Sequence, residues 1–210
     1  MNGEILSGYH ATDINNIELI KNNGFIESEA SKGHWLGRGI YFFENLYYAV
    51  EWEIIGVIKH EVTDYEELTE KCGIIIADLD MENYKVLDLS EPQGYAIFEY
   101  LLKIIKENYP EEKYEYILSK GYAYAIKILE QLEIKKNKKY ISKFDVICAA
   151  YPKNITKRKT NLPGDFISCV QKQMCVKNPN AIKKVEELQH SDITKGIFNL
   201  VKKNRGEKND

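Results

Sequence analysis

Apolar and polar positions along the chain follow two different periods, and the changes of period mark out its elements. Residues 4–10 read as a short strand, after which Asp13 stands where it caps a helix whose apolar positions Ile14, Ile17 and Ile20 recur at helical spacing until Gly24 ends it. Residues 40–43 (IYFF) form a short apolar run between glycines and polar residues, suited to a strand. Residues 46–55 follow as a helix carrying Tyr48, Ala49 and Trp52, with the strand-to-helix junction near Glu44. Residues 74–79 and 85–89 are expected as strands, and the run Ile74, Ile75, Ile76 marks the first as buried. The period then lengthens. Ile97, Leu101, Leu102, Ile104 and Ile105, followed by Ile117, Ile126, Leu129 and Leu132, describe two amphipathic helices separated by a turn at Tyr109 and Pro110, a helical insertion at about 92–141. Strand patterning returns at 144–150 and at about 166–176, on either side of a basic loop at 152–165. Two closing helices are expected, one begun by Asn178 and carrying Ile182 and Val185, one capped by Asp192 and carrying Ile193, Ile197 and Leu200. These elements make one domain at residues 1–202. The polar tail, residues 203–210 in the stretch KKNRGEKND, is expected to be disordered.

Composition narrows the class. The chain has 210 residues of which 44% are hydrophobic, enough for one sizeable core. No apolar run approaches the roughly 20 residues needed to cross a bilayer, and MNGEILSGYH lacks the charged start and apolar stretch of a signal peptide, so a soluble, cytoplasmic protein without membrane contact is expected. Cys72, Cys148, Cys169 and Cys175 lie in apolar stretches and form no CxxC pair, which argues against a disulfide scaffold and against zinc; reduced core thiols and no metal are expected. Charge is uneven. Residues 135–160 hold nine of the 29 Lys and Arg and one of the 32 acids (Asp145), a local +8, which leaves −11 on the rest of a chain whose net charge is −3. Such a segment is either a solvated charge run beside a loop or a contact for a polyanion.

Two segments carry candidate chemistry. Gly8, Tyr9, His10, Ala11 and Thr12 end the first strand just before a capped helix, where a histidine can point into a cleft, although a single His at a strand end is more often a hydrogen-bonded structural residue. Trp35, Leu36, Gly37, Arg38, Gly39, Ile40, Tyr41, Phe42 and Phe43 combine two glycines, which permit close backbone approach, with a strand whose aromatic rings alternate between faces. Tyr41 and Phe43 share a face, so Tyr41 offers a flat stacking surface while Phe42 packs into the core; an aromatic-rich strand is otherwise an ordinary core strand.

Together, GYHAT, then WLGRGIYFFE about 25 residues later, then an alanine and an aromatic on the next helix, resemble the ADP-ribosyltransferases related to poly(ADP-ribose) polymerases and diphtheria toxin. The resemblance implies an α+β fold with a split, mixed or antiparallel sheet and an NAD cleft between its halves. It implies that His10 hydrogen-bonds a ribose hydroxyl of NAD, that backbone groups of Ala11 hold the nicotinamide amide, and that Tyr41 stacks on the nicotinamide ring. Trp52, with Tyr48 as the alternative, would close the ring from the other side, and Thr12 and Gly39 complete the implied NAD-binding set. The family's third motif is a glutamate at the start of a late strand; here the best register places Gln173 there, with Gln171 on the same face two residues earlier. The basic loop before that strand, with Lys153, Lys157, Arg158, Lys159, Asn161 and Phe166, would meet the target together with Gln171, and its cations and aromatic suit RNA or DNA slightly ahead of protein. The helices from 92 to 141 have no counterpart in the resemblance.

Glutamine in place of glutamate has a consequence. Cleaving the nicotinamide–ribose bond develops positive charge on the ribose, and a full carboxylate charge at about 4 Å is worth roughly 4 kcal/mol at an effective dielectric of about 20, or about a thousandfold in rate. An amide can orient the ribose but cannot act as general base; Glu44 is an alternative candidate for that role. The resemblance therefore implies transfer of a single ADP-ribose from NAD, used as cosubstrate without metal, to a macromolecular acceptor, in the manner of a toxin or phage-defence effector, with an antitoxin or activator as a candidate partner. Two alternatives stay open: a catalytically degenerate module that binds NAD or ADP-ribose, and an NAD glycohydrolase with water as acceptor. Ala11, where the family commonly has glycine, adds only a methyl group. No GxGxxG fingerprint precedes a helix, which disfavours a hydride-transfer dehydrogenase.

Overall fold

Asp13 ends the first strand, β1 (Ile5–Asp13), and starts the first helix, α1 (Ile14–Asn23): its carboxylate accepts the Asn15 N–H at 2.8 Å. Gly24, at φ 77°, closes that helix with its N–H on the Ile20 carbonyl at 2.9 Å. The computed structural model describes residues 5–27, 35–52, 64–153 and 169–205. Among these the remaining strands are β2 (Ile40–Phe43), β3 (Cys72–Asp80), β4 (Val86–Asp88), β5 (Val146–Lys153), β6 (Cys169–Val176) and β7 (Ile182–Leu188). The remaining helices are α2 (Leu46–Trp52), α3 (Tyr65–Lys71), α4 (Pro92–Asn108), α5 (Glu111–Ser119), α6 (Tyr122–Lys136) and α7 (Asp192–Arg205). None of these helices is long and apolar enough to cross a membrane.

The fold is α+β. The strands form one mixed seven-stranded sheet in the order β4-β5-β6-β2-β1-β3-β7, in which β4 and β5 run parallel and every other neighbour is antiparallel. Its joints are unequal. β1 pairs with β3 along its whole length, from Ile5↔Asp80 to Asp13↔Cys72, and β5 pairs with β6 from Val146↔Val176 to Lys153↔Cys169, whereas β1 and β2 share the single pair Tyr9↔Phe43. The sheet is thus two well-laddered halves that part in the middle. On one face, Leu87, Ile147 and Cys175 pack under α4, α5 and α6, and Ala11, Phe43 and Ile74 pack under α2 and α7. On the other face, Ile75 meets Ile17 and Ile20 of α1.

Several elements differ from the sequence expectation. The insertion holds three helices, not two, because Gly121 adopts φ 80°, a torsion that L side chains disfavour, and so separates α5 from α6. Residues 182–188 are an edge strand rather than a helix. A register shift at Asp78/Leu79 pairs Ile182 with Leu79 and Val185 with Ala77, so a bulge places two residues three apart on one face and mimics helical spacing. Lys183, Lys184, Glu186 and Glu187 keep that edge charged. Helix α3, capped by Asp64 through the Glu67 N–H at 2.8 Å, lies in a stretch given no element by periodicity. Helix α7 continues through residues 203–205, expected as tail. Residues 53–55, 166–168 and 206–210 lie outside the described residues.

Because α6 shares one core with β4 and β5, the insertion should unfold with the sheet. Leu129→Ala, at a fully buried position, is expected to cost about 3 kcal/mol and to shift a single denaturant transition without splitting it, read by circular dichroism and tryptophan fluorescence together; an early separate transition of the helices would contradict this.

Candidate functional site

Where β1 and β2 part, a cleft of about 490 Å³ opens, within the range of ligand sites. Its walls include His10, Ala11 and Thr12 from β1, Gly39, Ile40, Tyr41 and Phe43 from β2 and the turn before it, Trp52 from α2, and Gln173 from β6. The far wall is Asn16, Leu19, Ile20 and Asn23 of α1 with Gly24, Phe25, Ile26 and Glu27 of the turn that follows.

His10 spans the parting. Its Nδ1 lies 2.8 Å from the Tyr41 carbonyl oxygen, which can only accept, so Nδ1 carries the proton. Phe25 meets the imidazole edge-on at 5.1 Å between ring centroids, and Phe42 lies 5.8 Å away. Burial among these rings holds the His10 pKa below its ordinary value despite the bond to Tyr41. A neutral ring protonated at Nδ1 leaves Nε2 as an acceptor. Thr12 Oγ1 accepts from Asn16 Nδ2 at 3.1 Å, which ties the start of α1 to the cleft wall.

Tyr41 is fixed at its far end. Its hydroxyl donates to the Gly37 carbonyl at 2.7 Å and accepts the Leu36 N–H at 2.8 Å, and burial pushes its ionisation well above the ordinary tyrosine range. The hydroxyl is therefore a strut, not a base, and the ring is what Tyr41 can offer to a ligand. The loop it props is tightly packed: Gly37 has φ 86°, and a Cβ there would fall 2.3 Å from Glu130 Oε1. Cys175, opposite Tyr41 in the β2–β6 ladder, has its thiol pushed up to about 12 by burial and stays protonated at neutral pH. Trp52 approaches Phe43 at 6.0 Å with the rings tilted by 47°, adding a third aromatic to the wall.

Gln173 lies opposite Phe43 in the ladder, 2% exposed, and its buried Oε1 has no hydrogen-bond partner among the described residues. An orphaned amide oxygen costs about 1–3 kcal/mol, so an acceptor in this position fits a donor from outside the chain. Among the described residues lining the cleft, Glu27 is the single carboxylate, and it is exposed at the mouth.

The structure thus brings together His10, Ala11, Thr12, Gly39, Tyr41, Trp52 and Gln173, which are far apart in sequence. It leaves others out. Tyr48 is buried in the core that α2 and α7 share, against Tyr47, and is absent from the cleft wall, whereas Trp52 lines it. Gln171 sits opposite Tyr151, on the same face as Gln173 but beyond the cleft lining. Glu44, the alternative general-base candidate, is exposed and absent from the cleft lining, and its charge is felt by Lys172 and Cys148. Lys153 ends β5, while Lys157, Arg158, Lys159, Asn161 and Phe166 lie outside the described residues. The α1 wall was missed by sequence reasoning, although the cap at Asp13 and the stop at Gly24 already required that helix to fold back beside His10.

No protein-family model matches the chain. It is 26% identical over 196 residues to an uncharacterized protein of Methanocaldococcus jannaschii, a match covering 85% of each chain. That similarity carries no activity with it, and the cleft is read from its own chemistry.

The depressed His10 pKa makes a prediction with a definite sign. The unfolded chain takes up a proton near pH 6.5 while folded His10 resists it, so this contribution to stability is complete above about pH 6.5 and is lost as pH falls toward the folded pKa. Wild-type protein should therefore lose more Tm between pH 7.5 and 5.5 than His10→Gln does, and equal losses would refute a neutral, half-buried His10.

Proposed function

We propose that the cleft binds NAD and that the protein is a mono-ADP-ribosyltransferase of the ADP-ribosyltransferase fold, delivering ADP-ribose to a macromolecular acceptor. The observation that carries this reading is the convergence on one cleft, at the parting of β1 and β2, of a neutral histidine acceptor, a half-buried tyrosine and a buried amide oxygen without a partner among the described residues. Each suits one part of the dinucleotide. His10 Nε2 accepts from a ribose hydroxyl. Residues 10–12, past the last β1–β2 pair, offer backbone groups to the nicotinamide amide. Tyr41, with Trp52 nearby, supplies the aromatic surface for the ring, and Gln173 Oε1 accepts from a hydroxyl of the second ribose.

The chemistry follows from what the wall contains. Bond cleavage between nicotinamide and ribose builds positive charge on the sugar, and the partial negative charge of the Gln173 amide oxygen, in a water-poor site, stabilises it less than a carboxylate does. Among the described residues, no carboxylate lies in the cleft interior to deprotonate an acceptor. The enzyme then works by orientation and ring binding, and it transfers one ADP-ribose per site to a nucleophile that is already competent. The basic stretch 153–159 makes a nucleic-acid acceptor the first choice over protein.

The test is incubation with NAD labelled in the adenylate, offered cell RNA, DNA and protein separately. Label on one polymer supports transfer and names the acceptor; nicotinamide release without transfer points to hydrolysis; binding without turnover points to a degenerate module. His10→Ala and Tyr41→Ala are each expected to lower turnover about a hundredfold or more with the fold intact by circular dichroism, and Gln173→Glu to raise NAD cleavage by up to about a thousandfold. Wild-type turnover in either cleft variant overturns the assignment.

A further inference from the structure

The helical insertion reaches the edge of the cleft through α6. Helix α6 presents Ile126 and Glu130, one turn apart, to the loop that precedes β2. Glu130 Oε1 accepts the Arg38 N–H at 3.0 Å and the Lys177 ammonium at 2.7 Å, and Lys177 Nζ also donates to the Arg38 carbonyl at 3.0 Å. Both peptide groups of Arg38 are thereby held by one ion pair whose side chains are 15% and 10% exposed. The Cys175 thiol adds a contact to the Arg38 carbonyl at 3.4 Å, and the Tyr41 hydroxyl ties to Leu36 and Gly37 on the same loop. The guanidinium side of Arg38 faces solvent, so its backbone is what the clamp has captured.

We infer that Glu130 is a positioning residue for the cleft: through Arg38 it fixes the loop of residues 35–39, and through that loop it fixes the plane of the Tyr41 ring and the backbone of Gly39. The insertion is then a built part of the ligand site, not a separate module hung from the sheet. Its geometry argues for position over bulk stability. Burying an ion pair contributes little net stability compared with an apolar pair of the same volume, but a charged acceptor aimed at a single N–H sets a loop register that apolar packing leaves loose. Gly37 fits the same demand, since any side chain there meets Glu130. The effect on ligand binding rests on the reading of the cleft as an NAD site; the clamp itself does not.

Three variants separate position from packing: Glu130→Ala, Glu130→Gln, and the double replacement Glu130→Leu with Lys177→Met, which refills the volume without charge. Two readouts are taken on each, hydrogen exchange of the Arg38 amide and the steady-state constants for NAD, with Tm as a check on folding. Glu130→Ala is expected to speed Arg38 exchange about tenfold or more and to raise KM for NAD about tenfold with kcat changed less than about threefold, because stacking is lost in ground and transition states alike. Glu130→Gln keeps an acceptor for Arg38 and should stay within about threefold of wild type on both readouts. The double variant should recover Tm while Arg38 exchange and KM stay as in Glu130→Ala. If the double variant restores all three, Glu130 is only packing and the inference fails; unchanged Arg38 exchange in Glu130→Ala sinks it as well. Wild-type protein that ignores NAD overturns the proposed function alone, and the exchange rates then decide the clamp.

Discussion

The His10 imidazole bridging to the Tyr41 carbonyl is the contact on which the arrangement depends. Two halves of a sheet, each fully laddered, meet through one backbone pair, and continued pairing of β1 with β2 would have closed the cleft. The chain leaves the ladder unfinished and lets a side chain span the gap. That substitution has three effects at once: it holds the strands at a working separation, it fixes the tautomer of the histidine, and it turns the remaining ring nitrogen into an acceptor. The neighbouring phenylalanines, Phe25 and Phe42, make the ring expensive to protonate, so the acceptor persists as pH falls below the range where a free histidine gains charge.

Around that bridge the cleft is furnished mainly with dipoles, Glu27 being the single carboxylate on its described lining. The Tyr41 hydroxyl is consumed by the loop it braces, Cys175 is held as a thiol, and Gln173 presents an oxygen that no described residue satisfies. Charge is used outside the cleft, where Glu130 and Lys177 grip the loop backbone and Lys172 pairs with Asp88 at 3.0 Å. A site of this kind suits a ligand that brings its own charges and needs its rings and hydroxyls placed, which is what a dinucleotide cosubstrate requires.

Much of this was legible from the residues, and the failures have physical reasons. Strands β1 to β5 and helices α1 and α4 were readable because each has a clear period and an end signal such as Asp13, Gly24 or Pro92. Residues 182–188 were misread as helix because a bulge against β3 gives Ile182 and Val185 the spacing of a helix face, a tertiary fact that no local pattern contains. The second break in the insertion was a glycine whose torsion, not its composition, decides the boundary. His10, Tyr41 and Gln173 were legible through their spacing and resemblance to a known arrangement, and all three line the cleft, but Tyr48 and Trp52, four residues apart on one helix, were separable only once the fold buried the first and left the second on the cleft wall. Glu44 illustrates the limit of position alone: next to the right strand, it is exposed and absent from the cleft lining.

The most direct test of the central claim is to follow the His10 Nε2 resonance by nitrogen NMR while NAD is added, alongside tryptophan fluorescence as a report on Trp52. A saturable shift of Nε2 toward a hydrogen-bonded acceptor, matched by quenching with the same midpoint and lost in Tyr41→Ala, is the predicted result. Nε2 and tryptophan signals that stay unchanged at millimolar NAD would contradict it and leave the cleft without its proposed ligand.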